Sequence, residues 1–73
     1  MVYKRIRDLR EDSDKRQREL AEYLHCSQST YSDYENGKLD LPSDVLILLA
    51  LLYGTSVDYI LGLTDEIQPL PRN

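Results

Sequence analysis

Apolar and polar positions follow a helical period along most of the chain and divide it into short amphipathic segments. Apolar residues separated by three or four positions are typical of helices that bury one face. Residues 11–16 contain no apolar side chain and predict a loop. We therefore expect an all-α fold of five helices. The predicted helices cover residues 3–11, 17–24, 28–35, 43–53 and 57–61.

The predicted helices begin and end at residues suited to those places. Ser27 and Ser56 can cap the third and fifth helices, because a serine hydroxyl accepts from an unpaired backbone N–H. Pro42 suits the first turn of the fourth helix, since proline has no N–H to leave unpaired. Asn36-Gly37 and Gly62 are typical C-terminal signals. These signals fix the helix boundaries independently of the apolar period.

The second and third helices are joined by a tight turn. Leu20, Ala21 and Leu24 face inward on the second helix, and the small Ala21 lets the third helix approach closely. His25 is expected in the left-handed backbone region, which histidine adopts more readily than most residues other than glycine. Cys26 is interpreted as a small apolar side chain that fills the turn. This arrangement predicts two helices packed at a fixed angle.

The third helix separates aromatic from polar side chains. Tyr31 and Tyr34 are three residues apart and face inward. Gln28 can make a bidentate contact with an adenine edge, and Asp33 can accept from the cytosine amino group, although its charge is repulsive near phosphates. The hydroxyls that can reach bases or phosphates belong to Ser29, Thr30 and Ser32. A polar helix face braced from behind is suited to the DNA major groove, although an ordinary solvated face has the same periodicity.

Charge is distributed unevenly between the two halves of the chain. The formal net charge is −4. Residues 1–38 carry eight basic and eight acidic side chains, whereas residues 39–73 carry one basic and five acidic. The basic side chains of the first helix, whose apolar face is Ile6 and Leu9, are interpreted as solvated. A chain that turns its first half toward DNA tolerates this balance, but it binds more weakly than a basic one.

Composition excludes several other classes of protein. A single cysteine among 73 residues allows no internal disulfide and indicates a cytoplasmic setting. The longest apolar run, residues 45–53, is too short to span a membrane. His25 and Cys26 lack the partners and spacing of a zinc site, and no catalytic triad or phosphate-binding loop is visible. We expect no enzyme activity, no cofactor and no metal.

A set of spaced residues resembles the XRE-type, lambda-repressor-like helix-turn-helix regulators over roughly residues 3–65. The family pattern is Gln, two variable residues, Leu-Ala, two variable residues, Leu, a turn ending in Ser, and a helix finishing in Glu-x-Gly. The matching residues are Gln17, Leu20-Ala21, Leu24, Ser27 and Glu35-Asn36-Gly37, and residues 55–65 resemble the closing helix. The resemblance implies a five-helix DNA-binding domain in residues 1–64, with the helix-turn-helix at helices 2 and 3. Residues 65–73, which contain two prolines and few apolar side chains, are expected to form an extended tail.

The resemblance also implies which positions touch DNA. Gln17 and Lys38 match positions that contact phosphates, whereas Glu35 and Gly37 match positions that hold the end of the recognition helix. The candidate DNA-binding residues are Gln17, Ser27, Gln28, Ser29, Thr30, Ser32, Asp33 and Lys38.

Two basic residues depart from the family pattern at the start of the second helix. Arg16 occupies the usual place of a small hydroxylated cap, and Lys15 precedes it. Cations at a helix N-terminus oppose the helix dipole. We hypothesise that both are retained because they lie beside the DNA phosphates.

The fourth helix is apolar all the way round, whereas a surface helix of a small domain normally has a polar stripe. Leu48 and Leu51 are three residues apart and share a face, and with Leu52 they form a candidate dimer interface. In the alternative interpretation, Ile67 and Leu70 of the tail cover this face. Because the family binds two-fold sites, we expect a homodimer.

These features together predict a sequence-specific regulator, a repressor, that inserts helix 28–35 into the major groove of double-stranded DNA. The alternative is a protein-interaction module of the same fold, such as an antitoxin-type or regulator-binding subunit, with weak or no DNA binding. The acidic balance and the apolar fourth helix favour that alternative. No small-molecule effector domain is expected, since the chain after residue 62 is too short to fold around a ligand.

Overall fold

The computed structural model describes residues 2–69, and within them it contains five α-helices and no strand. The predicted all-α fold is confirmed, and the first helix is displaced by one residue from its expected range. The helices are α1 (Lys4–Asp12), α2 (Gln17–Tyr23), α3 (Gln28–Asn36), α4 (Ser43–Tyr53) and α5 (Val57–Leu61).

The helix ends follow the capping chemistry expected from the sequence. Ser27 Oγ accepts from the Thr30 N–H at 3.1 Å, and Ser56 caps α5 in the same way. His25 has a φ of 56°, in the left-handed region that the turn requires. Pro42 differs slightly from expectation: it is the residue before α4, and its carbonyl accepts from the Leu46 N–H at 3.0 Å. The proline carbonyl thus accepts the first backbone hydrogen bond of α4, and no side chain caps this helix.

The core takes one essentially fully buried side chain from every helix. These residues are Ile6, Leu20, Tyr31, Leu49 and Ile60. The expected inward positions of α2 are confirmed, because Ala21 and Leu24 are also buried, and Cys26 is partly buried against the same cluster. No helix within residues 2–69 is long and apolar enough to cross a membrane.

The first residues of the segment that follows α5 contact the helices. Arg5 Nη1 donates to the Tyr59 carbonyl at 2.8 Å, and Arg5 Nη2 forms an ion pair with Asp65 at 2.7 Å. Thr55 donates its hydroxyl to the Ile67 carbonyl. The division into a domain of residues 1–64 and an extended tail of residues 65–73 stays a prediction, and residues 70–73, with Leu70, lie outside the described part of the chain.

Candidate nucleic-acid interface

A shallow concavity of about 410 Å³ runs along the outer side of α3 and the start of α2. Six of the eight predicted DNA-binding residues line it, and Asn36 joins them. The lining residues are Gln17, Gln28, Ser29, Ser32, Asp33, Asn36 and Lys38. The fold thus brings together polar side chains that are separated by up to 21 positions in the sequence.

The remaining two predicted residues are engaged in capping α3. Ser27 Oγ donates to Thr30 Oγ1 at 2.9 Å and accepts from the Thr30 backbone N–H. Neither residue lines the concavity. Their contact with DNA stays a prediction.

The polar face of α3 is braced from behind by its tyrosines. Tyr31 is fully buried and Tyr34 nearly so. Burial raises the pKa of the Tyr31 hydroxyl, so this side chain stays neutral in the core. Gln28 and Ser29 are exposed on the opposite side. The helix therefore has the two-faced arrangement that its sequence predicted.

A buried carboxylate lies where α1, α2 and α3 meet. Glu35 accepts from Arg10 Nε at 2.6 Å and from Arg10 Nη2 at 3.1 Å, and Arg7 Nε donates to it at 3.3 Å. Burial raises the pKa of this carboxyl, but the hydrogen bonds from Arg10 and from Gln17 outweigh burial and lower its pKa to about 2. Glu35 therefore stays ionised and acts only as a hydrogen-bond acceptor.

Gln17 links this carboxylate to the concavity. Its Nε2 donates to Glu35 Oε1 at 3.1 Å. An amide nitrogen has two hydrogens, so one remains for a phosphate oxygen, which can only accept. The buried acid thus fixes which atom of Gln17 can serve the predicted phosphate contact.

A second chain of hydrogen bonds reaches the concavity from α1. Arg7 Nη2 donates to Asn36 Oδ1 at 3.0 Å. Asn36 Nδ2 in turn donates to Ser32 Oγ at 3.3 Å. The hydroxyl of Ser32 is therefore connected to Glu35 through two intervening side chains.

The sequence interpretation of the basic side chains of α1 as solvated is wrong for Arg5 and Arg10, which are only partly exposed, whereas Arg7 is exposed. All three arginines of α1 also bond other parts of the fold. Arg5 binds the segment after α5, whereas Arg7 and Arg10 bind Glu35. The spacing of Arg7 and Arg10 places both on one face, but nothing in the local sequence indicates the acid that they meet on α3. The sequence likewise indicates Asn36 only as part of a helix stop signal.

The three leucines of the predicted dimer interface on α4 differ in exposure. Leu51 is 64% exposed, and its exposed neighbour one turn away is Ile47, at 53%. Leu48 and Leu52 are only partly exposed and pack against the core. The Leu48 carbonyl also accepts from the Tyr23 hydroxyl at 3.1 Å. The outward apolar surface of α4 is thus centred on Ile47 and Leu51.

Sequence comparison agrees with this geometry. Residues 6–60 match the helix-turn-helix family. The chain belongs to that family. The resemblance to XRE-type, lambda-repressor-like helix-turn-helix regulators is thereby confirmed.

Two relatives from Bacillus subtilis (strain 168) are similar along most of this chain. An uncharacterized HTH-type transcriptional regulator, YobD, is 44% identical over 69 residues, which cover 94% of this chain and 62% of that protein. The HTH-type transcriptional regulator ImmR is 38% identical over 64 residues, which cover 88% of this chain and 50% of that protein. The chain therefore spans about half to three fifths of the length of these relatives. No solved structure gives a significant match.

Proposed function

We propose that this chain is a sequence-specific repressor that places α3 in the major groove of double-stranded DNA as a homodimer. The observation that carries the proposal is the concavity, in which Gln28, Ser29, Ser32 and Asp33 lie beside Gln17 and Lys38. Gln28 is suited to read an adenine edge, and the hydroxyls and Asp33 to reach other base edges or phosphates. The family places a recognition helix in the groove in this manner.

The positions of basic residues around α3 also support placing this helix in the major groove. Lys38 lies at the end of α3, where its backbone N–H donates to the Asp33 carbonyl at 2.9 Å. Lys15 and Arg16 precede α2 at the other end of the helix pair. Basic side chains at these two ends of the helix pair are suited to contact the phosphates that flank a groove.

The homodimer is supported by the exposed apolar surface of α4. Burying an aliphatic side chain of this size contributes roughly 1.5–3 kcal/mol relative to leaving it exposed. Leu51 and Ile47 are both more than half exposed. Two copies joined there could bind half-sites one helical turn apart.

A protein-interaction module with weak DNA binding is the second candidate. The exposed pair Ile47 and Leu51 and the acidic C-terminal half favour it. Apolar patches rimmed by polar residues are typical of protein-binding surfaces. In either case we propose a cytoplasmic setting, in which the unpaired Cys26 stays reduced.

Selection of binding sites from a random DNA pool tests the proposal most directly. The repressor interpretation predicts a two-fold motif, bound with an affinity that falls steeply with salt. A reporter gene carrying that motif at its promoter should be expressed less when the protein is present. Recovery of no motif, with retention on generic DNA that is weak even at low salt, would favour the protein-interaction module instead.

A further inference from the structure

The hydrogen bonds that join α1 to α3 determine which atoms of Asn36 and Ser32 donate and which accept, on the side of α3 that lines the concavity. A guanidinium group has donors and no acceptor. Arg7 therefore requires the oxygen of Asn36, not its nitrogen, to face α1. The amide nitrogen of Asn36 then points to Ser32, whose oxygen accepts. The orientation of the asparagine amide, which is often ambiguous, is determined here by its arginine partner.

This direction leaves hydrogens free on the side of the concavity. Asn36 uses one of its two amide hydrogens for Ser32, and the Ser32 hydroxyl hydrogen is not needed by Asn36. The carbonyl oxygen of Asn36, which would repel a phosphate, is covered by Arg7. This end of α3 thus offers donors to a ligand that lies against it.

Arg7 is itself held in place by the buried acid. Its Nε donates to Glu35, whose side chain is inaccessible to solvent, while its Nη2 holds Asn36. Two donors on separate nitrogens of one planar group are therefore fixed at the same time, a geometry that the single ammonium nitrogen of a lysine does not reproduce. The buried Glu35 is thus connected through Arg7 and Asn36 to the hydroxyl of Ser32, and this connection orients the hydroxyl.

We propose that Arg7 is a positioning residue for DNA recognition, which acts through Asn36 to orient the Ser32 hydroxyl as a donor toward a base edge. The inference rests on the proposed function and adds a specificity to it. Guanine, adenine and thymine present acceptors in the major groove, whereas the cytosine edge presents an amino donor. Asn36 occupies one of the two lone pairs of the Ser32 oxygen and leaves its hydrogen free, so this arrangement favours one of the three acceptor-bearing bases opposite Ser32.

Site selection with single variants tests this chain of contacts. The variants are Arg7→Met, Asn36→Ala and Ser32→Ala, with Arg18→Met as the matched control. Arg18 is an exposed arginine of α2, and within the described residues it makes no hydrogen bond to α3. Each selected site is then titrated against generic DNA of the same length, and thermal unfolding of each variant is recorded.

We expect all three variants to lose base preference at the same position of the selected motif. The ratio of affinity for selected over generic DNA should fall roughly three- to tenfold in each, which is the effect of one hydrogen bond. The double variant Arg7→Met/Ser32→Ala should lose no more than either single variant, because residues of one network are not additive. Arg18→Met should keep the preference at that position.

A conservative variant separates positioning from charge. Arg7→Lys keeps the positive charge but replaces two donor nitrogens, Nε and Nη2, by a single one. Its base preference should therefore change while its affinity for generic DNA is kept. Equal weakening on selected and generic DNA in Arg7→Met, with full recovery in Arg7→Lys, would show a direct phosphate contact and overturn the inference. Lower thermal stability with unchanged base preference would overturn it as well.

The two proposals fail in different ways. If the unchanged protein selects no motif, the proposed function fails and the positioning role fails with it. If the unchanged protein selects a motif to which Arg7 and Asn36 are indifferent, only the positioning role is wrong.

Discussion

Arg10 and Glu35 form a bidentate ion pair between α1 and α3, with N–O distances of 2.6 and 3.1 Å. The glutamate side chain is fully buried, and that of the arginine is 15% exposed. A pair of this kind contributes little over a well-packed apolar pair, but losing one partner leaves a buried charge without its counterion. The stability of the helix-turn-helix therefore depends on both residues being present together.

Arg10→Met should destabilise the protein by about 3 kcal/mol. Removing one partner of a buried ion pair typically costs about 3–5 kcal/mol. The lower end of this range is expected because Gln17 and Arg7 still bond Glu35. Urea denaturation followed by circular dichroism measures the loss. The double variant Arg10→Met/Glu35→Leu should be more stable than the single variant, since it removes the orphaned charge. A single variant as stable as the unchanged protein would contradict the assigned role.

The Glu35 carboxylate should also make the stability of the folded protein depend on pH. The pKa of Glu35 is lowered from its ordinary value of 4.5 to about 2 in the folded protein. Between these values the unfolded chain binds more protons than the folded one, so stability rises with pH there and is lost on acidification. The contribution is fully present above about pH 5 and disappears toward about pH 2.

Urea midpoints of the unchanged protein and of Glu35→Gln, measured from neutral pH downward, test this dependence. Their difference should stay constant near neutrality and shrink as the pH falls through the window. A difference that does not change with pH would show that folding does not lower the pKa of Glu35.

Gln28→Ala should relax the preference for one base of the selected motif, at a cost of roughly 1–3 kcal/mol on that sequence. The reason is that Gln28 is exposed in the concavity and can pair with two atoms of an adenine edge. Site selection and fluorescence anisotropy measure the change. Gln68→Ala, the same substitution at an exposed residue outside the concavity, is the control. A uniform loss across all sequences would mean that Gln28 contacts only the backbone.

Leu51→Glu should convert the dimer into a monomer. Leu51 is exposed in the single chain, so the substitution should change the stability of that chain by no more than about 0.5 kcal/mol. Sedimentation velocity at micromolar concentration gives the oligomeric state. Leu63→Glu is the matched control, because Leu63 is 74% exposed and lies outside α4. A monomeric mass for the unchanged protein would refute the dimer.

Replacing Lys15 and Arg16 together by glutamine should make the dependence of DNA affinity on salt shallower. Each phosphate contact that is lost changes the slope of log K against log salt by about 0.9. Lys4→Gln removes a charge on another surface, beside residues of α5, and should leave the slope unchanged. An unchanged slope in the double variant would show that the two cations do not lie beside phosphates.

The same double variant should not be less stable in the absence of DNA. Two cations at the start of α2 oppose its dipole, so removing them should raise stability by a few tenths of a kcal/mol. The Glu19 carboxylate, which accepts from the Arg16 backbone N–H at 3.1 Å, is kept in this variant. Denaturation in the absence of DNA separates this effect from the binding defect.

The sequence by itself determined the helices and their local geometry. Ser27, His25 and Gly37 specify a cap, a left-handed turn and a helix end, and each of these depends on atoms within about four residues. Tyr31 and Tyr34 also follow from local spacing, because a period of 3.6 residues places them on one face. The two faces of α3 could therefore be predicted before any packing was known.

Only the tertiary structure decided which polar groups meet. Arg10 and Glu35 are 25 residues apart, and their contact depends on the angle at which α1 crosses α3. The same packing joins Asn36 to Arg7 and turns Leu48 toward the core while leaving Leu51 exposed. An amphipathic period gives the direction of a side chain about its own helix, but the partner that it meets is set by how the other helices pack around the shared core.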